Sequence, residues 1–290
     1  MNLFRRPSLL FVLALLFFAA GTWSLPLIDR DEPRFAEASR EMRERGDFIV
    51  PYLNNQYRFD KPPLTYWAQV ASFTIFGEND FSARFPSVLT AALTVLAIYG
   101  FGSRLFNANT GWFAALIFMT CLQVSMHAKG AVADMIMVFF YTITVWAAWE
   151  MIAALGKSTS AVSASAQRRW WWAFYAALAL GFLAKGPVAW FPLLAIAIYA
   201  WMYRPEGLAR KFKFTIGMVL VLAAVGAWGV EWFGFHVVVS VGSNKVQARL
   251  RAGLELDCFC CAAYSCMTRS RMFERNWPKA GSSCRRSSRG

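Results

Sequence analysis

Apolar residues fall into seven long runs along this sequence, and polar residues gather in the segments between them. Each run is near the roughly 20 residues that an α-helix needs to cross a bilayer. We therefore predict seven membrane-spanning helices, approximately at residues 8–27, 85–105, 111–128, 131–153, 170–185, 187–203 and 214–235. The fifth and sixth runs meet at Lys185-Gly186-Pro187, which predicts a tight helical hairpin.

The composition also indicates a membrane protein. The chain is 57% hydrophobic and 16% charged, whereas soluble domains have roughly 45–50% apolar and about 25% charged residues. Its 13 Trp and 26 Phe residues suit interfacial belts and lipid-facing surfaces. The predicted fold class is an all-α integral membrane protein, a polytopic bundle of about seven transmembrane helices.

The distribution of charge predicts an orientation. A net charge of +13 would suggest a nucleic-acid partner in a soluble protein, but here Lys and Arg sit mostly in short loops, as the positive-inside rule expects. We predict a membrane partner and no nucleic acid. The long loop 28–84 differs, with eight basic and ten acidic residues. The rule places this loop, Lys129, Asp134 and Lys185 on the outer face.

The long loop itself contains predicted structure. Pro33–Arg45 has proline at its start and glycine just beyond its end, which predicts a helix. Its narrow apolar stripe, formed by Phe35, Ala38 and Met42, is typical of a helix on the membrane surface. An extended piece and a turn follow, with Asn54-Asn55 at the turn. A second helix is predicted from Pro62 to about Gly77.

The end of the chain has a different character. Residues 247–290 hold nine basic and three acidic residues, five of the six cysteines and no apolar span. The cysteine spacing matches no standard zinc pattern and fixes no disulfide pairing. We predict that residues 1–246 form the membrane domain, and we interpret 247–290 as the product of a shifted reading frame.

Charged motifs stand at the starts of both predicted loop helices. Asp31 and Glu32 begin the first, where the helix dipole favours carboxylates, so they are either capping residues or functional acids. Lys61 stands at the start of the second, where the dipole disfavours a cation. It is either a solvated loop lysine or has a partner, namely Asp60 or a bound anion.

Two further charges, Asp134 and Lys185, border predicted spans. An ionisable group costs roughly 2.5–3.5 kcal/mol at mid-bilayer and less near an interface. Helix capping by Asp134 and snorkelling by Lys185 therefore remain open beside functional roles.

Together the motifs resemble a known family. They are Asp31-Glu32-Pro33-Arg34-Phe35-Ala36-Glu37, Gly46-Asp47, Phe59-Asp60-Lys61-Pro62-Pro63-Leu64-Thr65-Tyr66-Trp67, Phe76-Gly77, Ser82-Ala83-Arg84-Phe85-Pro86, Ala133-Asp134-Met135 and Ala184-Lys185-Gly186. Over about residues 8–235 the sequence resembles the bacterial aminoarabinose (lipid A) transferases, which belong with the protein O-mannosyltransferases in the GT-C class. The resemblance implies a glycosyltransferase of the bacterial inner membrane. It would move a sugar, aminoarabinose, mannose or similar, from a polyprenyl-phosphate donor to a lipid A, glycolipid or protein acceptor on the periplasmic face.

The resemblance also implies catalytic and donor-binding roles by position. Asp31 matches the family's essential Asp, a base or acceptor-orienting group, and Glu32 shares its catalytic motif. Lys61 matches the lysine that contacts the donor phosphate, and Lys185 matches a further basic position.

Two acidic positions complete the implied site. Asp60 occupies the place of an acidic residue that shapes the site and in some members binds a divalent metal. Asp134 matches an acidic position that lines the cavity. A later segment supplies His, Glu and Arg for metal and phosphate in the family, and residues 236–249 match it poorly.

Family chains are also much longer, so we expect a truncated product whose activity is open. The alternatives are an inactive remnant, a non-catalytic lipid carrier or transporter, and an accessory subunit that only binds. Transporters place polar residues near mid-bilayer, whereas the charges here gather at one face.

Overall fold

A computed structural model of the chain describes residues 6–27, 31–58, 60–155 and 164–229. The elements, in chain order, are α1 (Pro7–Ala19), α2 (Glu32–Arg45), β1 (Tyr52–Leu53), β2 (Gln56–Tyr57), α3 (Leu64–Phe76), α4 (Asp80–Leu105), α5 (Ala108–Thr120), α6 (Leu122–Ala128), α7 (Asp134–Ala153), α8 (Ala164–Lys185), a 3-10 turn (Gly186–Trp190), α9 (Phe191–Tyr203), α10 (Leu208–Phe212) and α11 (214–229). The predictions for 236–249 and for the tail 247–290 lie outside these residues.

The predicted membrane-spanning helical class is confirmed. Within the described residues, four helical segments are long and apolar enough to cross a bilayer: Asp80–Leu105, Asp134–Ala153, Ser165–Tyr203 and Leu208–Gly229. The pair α5 and α6, bent by 65°, would make a fifth if it is one span. α1 is apolar but has only 13 residues. The predicted number of seven spans therefore stays a prediction.

The first half of the bundle is organised around α4, which packs against α1, α3, α5 and α7. One face of α1 is buried against α4 in an apolar cluster: Leu10, Ala14, Phe18, Val88, Ala91, Ala92 and Val95. α4 meets α5 at Gly102 and Gly111, where a Cβ on Gly102 would lie 2.9 Å from the Gly111 backbone. Glycine at this crossing lets the two helix backbones approach closely.

The second half pairs α7 with α8, and the chain then reverses. Gly186, at φ +78°, starts the 3-10 turn. Trp190 Nε1 donates to the carbonyl oxygen of Leu178, twelve residues earlier, at 3.3 Å, and its ring packs on Phe182. A straight helix would hold residues twelve apart at about 18 Å. The chain thus turns back directly after Lys185, while a hairpin of α8 with α9 stays a prediction.

The first loop folds largely as predicted, with α2, a hairpin and α3 in order. Gly46 ends α2 at φ +66°, and Asn54 and Asn55 form the hairpin turn in the left-handed region. The expectation for the apolar stripe of α2 was wrong. Phe35, Ala38 and Met42 are buried against the residues Tyr66, Val70 and Ala133 rather than on a membrane surface, because α3 covers that face.

Candidate active site

Glu32 and Arg84 form a buried ion pair at the first turn of α2. Arg84 Nε donates to Glu32 Oε1 at 3.1 Å and Nη2 donates to Oε2 at 2.9 Å, a bidentate arrangement that is strong and directional. The amide of Ala131 also donates to Oε1, at 2.8 Å. The exposed fractions of the Arg84 and Glu32 side chains are 6% and 7%. The carboxylate of Glu32 is therefore occupied by the protein itself.

Arg84 uses the rest of its guanidinium to hold the segment that follows α1. Nη1 donates to the carbonyl oxygens of Thr22 and Leu25 at 2.9 and 2.6 Å, and Nη2 donates to that of Pro26 at 2.9 Å. With the bonds to Glu32, all five N–H donors of the guanidinium are used. Arg84 thus ties this segment and the start of α2 to α4, and fixes the backbone beside Asp31.

Asp31, next to Glu32, has the opposite environment. It is exposed at the N-terminal boundary of α2, and its side chain makes no capping hydrogen bond. It lines a cavity of about 930 Å³ together with His127, Lys129 and Asp134. An acid at this place suits interaction with a substrate hydroxyl in the cavity.

Asp134 and Lys185 are brought together across 51 residues of sequence. Lys185 Nζ donates to Asp134 Oδ1, and the two side chains are 28% and 29% exposed. Asp134 begins α7 and Lys185 ends α8, so each charge also suits the dipole of its own helix. Asp134 lines the same cavity as Asp31, and Lys185 lies next to that wall through its bond to Asp134.

Asp60 and Lys61 lie just before α3 and share a second charged cluster. Lys61 Nζ is 3.8 Å from Asp60 Oδ1, and Arg58 Nη2 donates to Asp60 Oδ2 at 3.3 Å. Arg58 is not among the site residues that the sequence predicts. Its guanidinium carbon lies 5.0 Å from the centre of the Phe35 ring and 5.9 Å from that of Tyr66. No local sequence pattern marks Arg58, since its burial depends on α2 and α3 packing around it.

Tyr66 is fully buried beside this cluster. Burial raises the pKa of its phenol above the usual value, Arg58 opposes the shift, and Asp60 and Asp31 add to it. The hydroxyl therefore keeps its proton and has both carboxylates within electrostatic reach. Within the part of the chain that the structure describes, Tyr66 Oη and Arg58 Nη1 are buried without a hydrogen-bond partner.

The two charged clusters lie at one end of the bundle. Thr65 Oγ1 donates to the carbonyl oxygen of Ala184 at 3.5 Å, which joins the start of α3 to the end of α8. Lys61 precedes this junction by four residues and Lys185 follows it by one. Lys61 and Lys185 carry like charges and only donate hydrogen bonds, so an anion such as phosphate is the kind of ligand that would contact both.

Donor groups for a metal are sparse in the described residues. No group of three or more His, Cys, Asp or Glu side chains among them is arranged to hold an ion. Asp60 is engaged by Arg58 and Lys61. The divalent metal therefore stays a prediction from the family resemblance.

Comparison with known proteins identifies the family of this chain. The model of the dolichyl-phosphate-mannose-protein mannosyltransferase family matches residues 60–230, which is more than half of the chain. The chain belongs to this family.

Individual relatives narrow the likeness. An uncharacterized protein of Aquifex aeolicus is 33% identical over 236 residues, covering 81% of this chain and 50% of the relative. The undecaprenyl phosphate-alpha-4-amino-4-deoxy-L-arabinose arabinosyl transferase of Pectobacterium atrosepticum is 34% identical over 206 residues, covering 70% of this chain and 34% of that protein. Family members with a named activity are thus sugar transferases that use a polyprenyl phosphate.

Solved structures show the same fold. The crystal structure of ArnT from Cupriavidus metallidurans bound to undecaprenyl phosphate superposes with a TM-score of 0.69 at 27% identity, over 77% of this chain and 40% of that one. Its apo structure gives a TM-score of 0.68 at 25% identity. The helical bundle is therefore of the ArnT, GT-C type. The chain spans half or less of the length of each of these relatives.

Proposed function

We propose that this chain is a glycosyltransferase that moves a sugar from a polyprenyl-phosphate donor to a lipid A, glycolipid or protein acceptor. One observation carries the proposal: the cavity has an acid without a capping bond and, beside it, an acid that is paired with a lysine. Asp31 presents a carboxylate that makes no capping bond, and Asp134 on the same cavity holds the ammonium group of Lys185. The site thus offers a base and a cation, the two groups that sugar transfer from a phosphate requires.

Asp31 is the proposed base. It would accept the proton of the acceptor hydroxyl as the acceptor oxygen bonds to the anomeric carbon, and the bond from that carbon to the donor phosphate oxygen would break. Polyprenyl phosphate leaves with the bonding electron pair, and the proton passes from Asp31 to water. Glu32 is a positioning residue in this scheme, because its oxygens are held by Arg84 and Ala131.

Lys61 and Lys185 are the proposed phosphate contacts. Negative charge grows on the leaving phosphate, and a cation placed there stabilises the transition state more than the ground state. Asp134 would orient Lys185, and Asp60 would orient Lys61. The undecaprenyl phosphate in the related ArnT structure supports a polyprenyl donor.

The aminoarabinose named for the relatives is the sugar that we propose first, with mannose as the alternative.

We further propose that the cavity opens to the periplasm from the bacterial inner membrane. Lys and Arg concentrate in the loops at the other end of the predicted spans, as positive-inside topology requires. Cysteine placed at Asn55 or at Gln167 tests this orientation. A membrane-impermeant maleimide should label the first in intact spheroplasts and the second only after lysis, and the reverse pattern would contradict the proposal.

Sugar transfer in membranes tests the function directly. With a radiolabelled polyprenyl-phosphate sugar, Asp31→Asn should lower transfer about 100-fold or more, as expected for loss of a general base. Asp47→Asn is the matched control, because among the described residues the Asp47 side chain accepts one hydrogen bond, from the Ile49 amide, and asparagine keeps that acceptor. The control should transfer at the wild-type rate.

Two outcomes would contradict the proposal. Transfer at the wild-type rate by Asp31→Asn would show that Asp31 is not the base. A wild-type chain that binds the labelled donor without transferring its sugar would indicate a lipid carrier instead. Donor binding is therefore measured in the same membranes by filtration.

A further inference from the structure

A basic cavity lies at the end of α8 opposite to Lys185. It has a volume of about 450 Å³, and its walls are Gln167, Arg168, Trp171, Trp172, Lys211, Lys213 and Ile216. Three cations line it and no carboxylate does. α8 has 22 residues, so about 33 Å of helix runs from its first residue to its last. The cavity, here called the basic pocket, is therefore remote from the proposed active site.

The frame of the basic pocket is held by specific contacts. The carbonyl oxygen of Phe212 accepts hydrogen bonds from Trp171 Nε1 at 2.7 Å and from Tyr175 Oη at 2.9 Å. A Cβ on Gly217 would overlap the Tyr175 ring, so only glycine allows α11 to pack this closely on α8. These contacts fix the segment 211–213 against the first turns of α8, so that the pocket exists before any ligand arrives.

The three cations are not equivalent. Lys211 Nζ donates to the carbonyl oxygen of Ala154 at 2.9 Å, so it is partly used by the end of α7. Arg168 and Lys213 are both exposed. A guanidinium and an ammonium group facing one cavity are donors suited to phosphate oxygens, the guanidinium in a bidentate way.

The tryptophans place the basic pocket at the level of lipid head groups. Trp172 is 54% exposed and packs edge-on against Trp171, with 5.0 Å between ring centres. Tryptophan is enriched where hydrocarbon meets head groups, and the apolar part of α8 begins directly after these residues. Basic pockets between transmembrane helices at this depth suit anionic lipid head groups.

We propose that the basic pocket binds the phosphate of an anionic phospholipid from the membrane leaflet opposite to the active site. Arg168 and Lys213 would contact the phosphate, and Trp172 would pack on the adjoining glycerol and acyl carbons. The site is separate from the donor site, and the inference does not depend on the transferase activity.

Native mass spectrometry of the detergent-solubilised protein tests the proposal with phosphatidylglycerol as the probe. The double substitution Arg168→Gln with Lys213→Gln should weaken phosphatidylglycerol binding about tenfold or more, as expected for the loss of two cations at a lipid phosphate. Arg169→Gln with Arg210→Gln is the matched control, since both residues are exposed neighbours outside the pocket. The control removes the same charge and should bind as the wild type does.

Further measurements distinguish the source of the phosphate. Phosphatidylcholine should not compete, and inorganic phosphate should displace the lipid only weakly. Equal losses in the two double variants would overturn the proposal in favour of unspecific surface charge. Inorganic phosphate that binds as tightly as phosphatidylglycerol would overturn the assignment to a lipid. Thermal unfolding confirms that both variants are folded, as the exposure of all four residues predicts.

Discussion

Two of the long-range ion pairs in the described residues, Glu32–Arg84 and Asp134–Lys185, differ in burial and in how far the protein uses their donors. In the first, both side chains are buried and every guanidinium donor is used within the protein. In the second, each side chain is more than a quarter exposed. Glu32, Arg84 and Asp134 all line the same cavity. The first pair holds the backbone of the site, whereas the second has capacity left for a ligand.

The contrast separates Asp31 from Glu32, which are adjacent in one acidic motif. One residue is about 100° of helix rotation, which turns the Glu32 carboxylate toward Arg84 and leaves the Asp31 side chain exposed. Both acids stand at the helix N-terminus, so the dipole alone does not distinguish them. Their hydrogen-bond partners distinguish them, so substitutions at the two acids should have different effects on stability and on transfer.

The largest expected effect is on stability, from removal of Arg84. Arg84→Ala leaves Glu32 as an uncompensated buried charge and releases three carbonyl oxygens, and loss of one partner of a buried pair costs about 3–5 kcal/mol. Unfolding in detergent should show this loss. Arg43→Ala is the control, because the Arg43–Glu78 pair is exposed and such pairs contribute about 1 kcal/mol or less. Equal losses of unfolding free energy in the two variants would contradict the structural role of Arg84.

The two acids should separate stability from activity. Glu32→Gln should lower the free energy of unfolding by about 2 kcal/mol, since the bidentate charged bonds to Arg84 are weakened. Asp31→Asn should leave unfolding unchanged, because its side chain makes no capping bond, while transfer is lost. Unfolding and transfer are measured on the same preparations. A destabilised Asp31→Asn would indicate that Asp31 is structural after all.

Breaking the half-buried Asp134–Lys185 pair should affect transfer more than folding. Lys185→Ala should lower transfer about 100-fold if Lys185 contacts the phosphate, with a loss of stability of about 1 kcal/mol. The exchange of Asp134→Lys with Lys185→Asp keeps an ion pair and provides the decisive control. Wild-type transfer by the exchanged protein would show that the pair is only structural.

The smallest effect is expected at the surface of α2. A hydrogen bond from Arg40 lowers the pKa of Glu37, although partial burial opposes the shift. The stabilisation is therefore present above the ordinary value of 4.5 and is lost as the pH falls through the lowered folded-state pKa. Glu37→Gln should cost a few tenths of a kcal/mol at neutral pH. The difference in unfolding free energy between Glu37→Gln and wild type should vanish in acid. A difference that grows as the pH falls would contradict the lowered pKa of Glu37.

Much of the fold could be predicted because its signals are local. Apolar runs predict the long helices α4, α7 and α8, Gly46 ends α2 in the left-handed region, and Asn54-Asn55 gives the hairpin turn. The sequence near an amphipathic helix does not show which surface its apolar face packs against. Phe35, Ala38 and Met42 face α3 rather than lipid, and the same pattern would suit either neighbour.

For the candidate site, the sequence alone determined the residue types and the membrane setting. The sequence shows acids and lysines at the starts of helices and at the edges of spans. These positions can be read from it because hydropathy and helix capping depend on residues that are near neighbours in the chain. The tertiary structure decided which acid is buried, which lysine meets Asp134 and that Arg58 lies between Phe35 and Tyr66. These depend on contacts between residues far apart in sequence, where packing and burial assign each charge its partner.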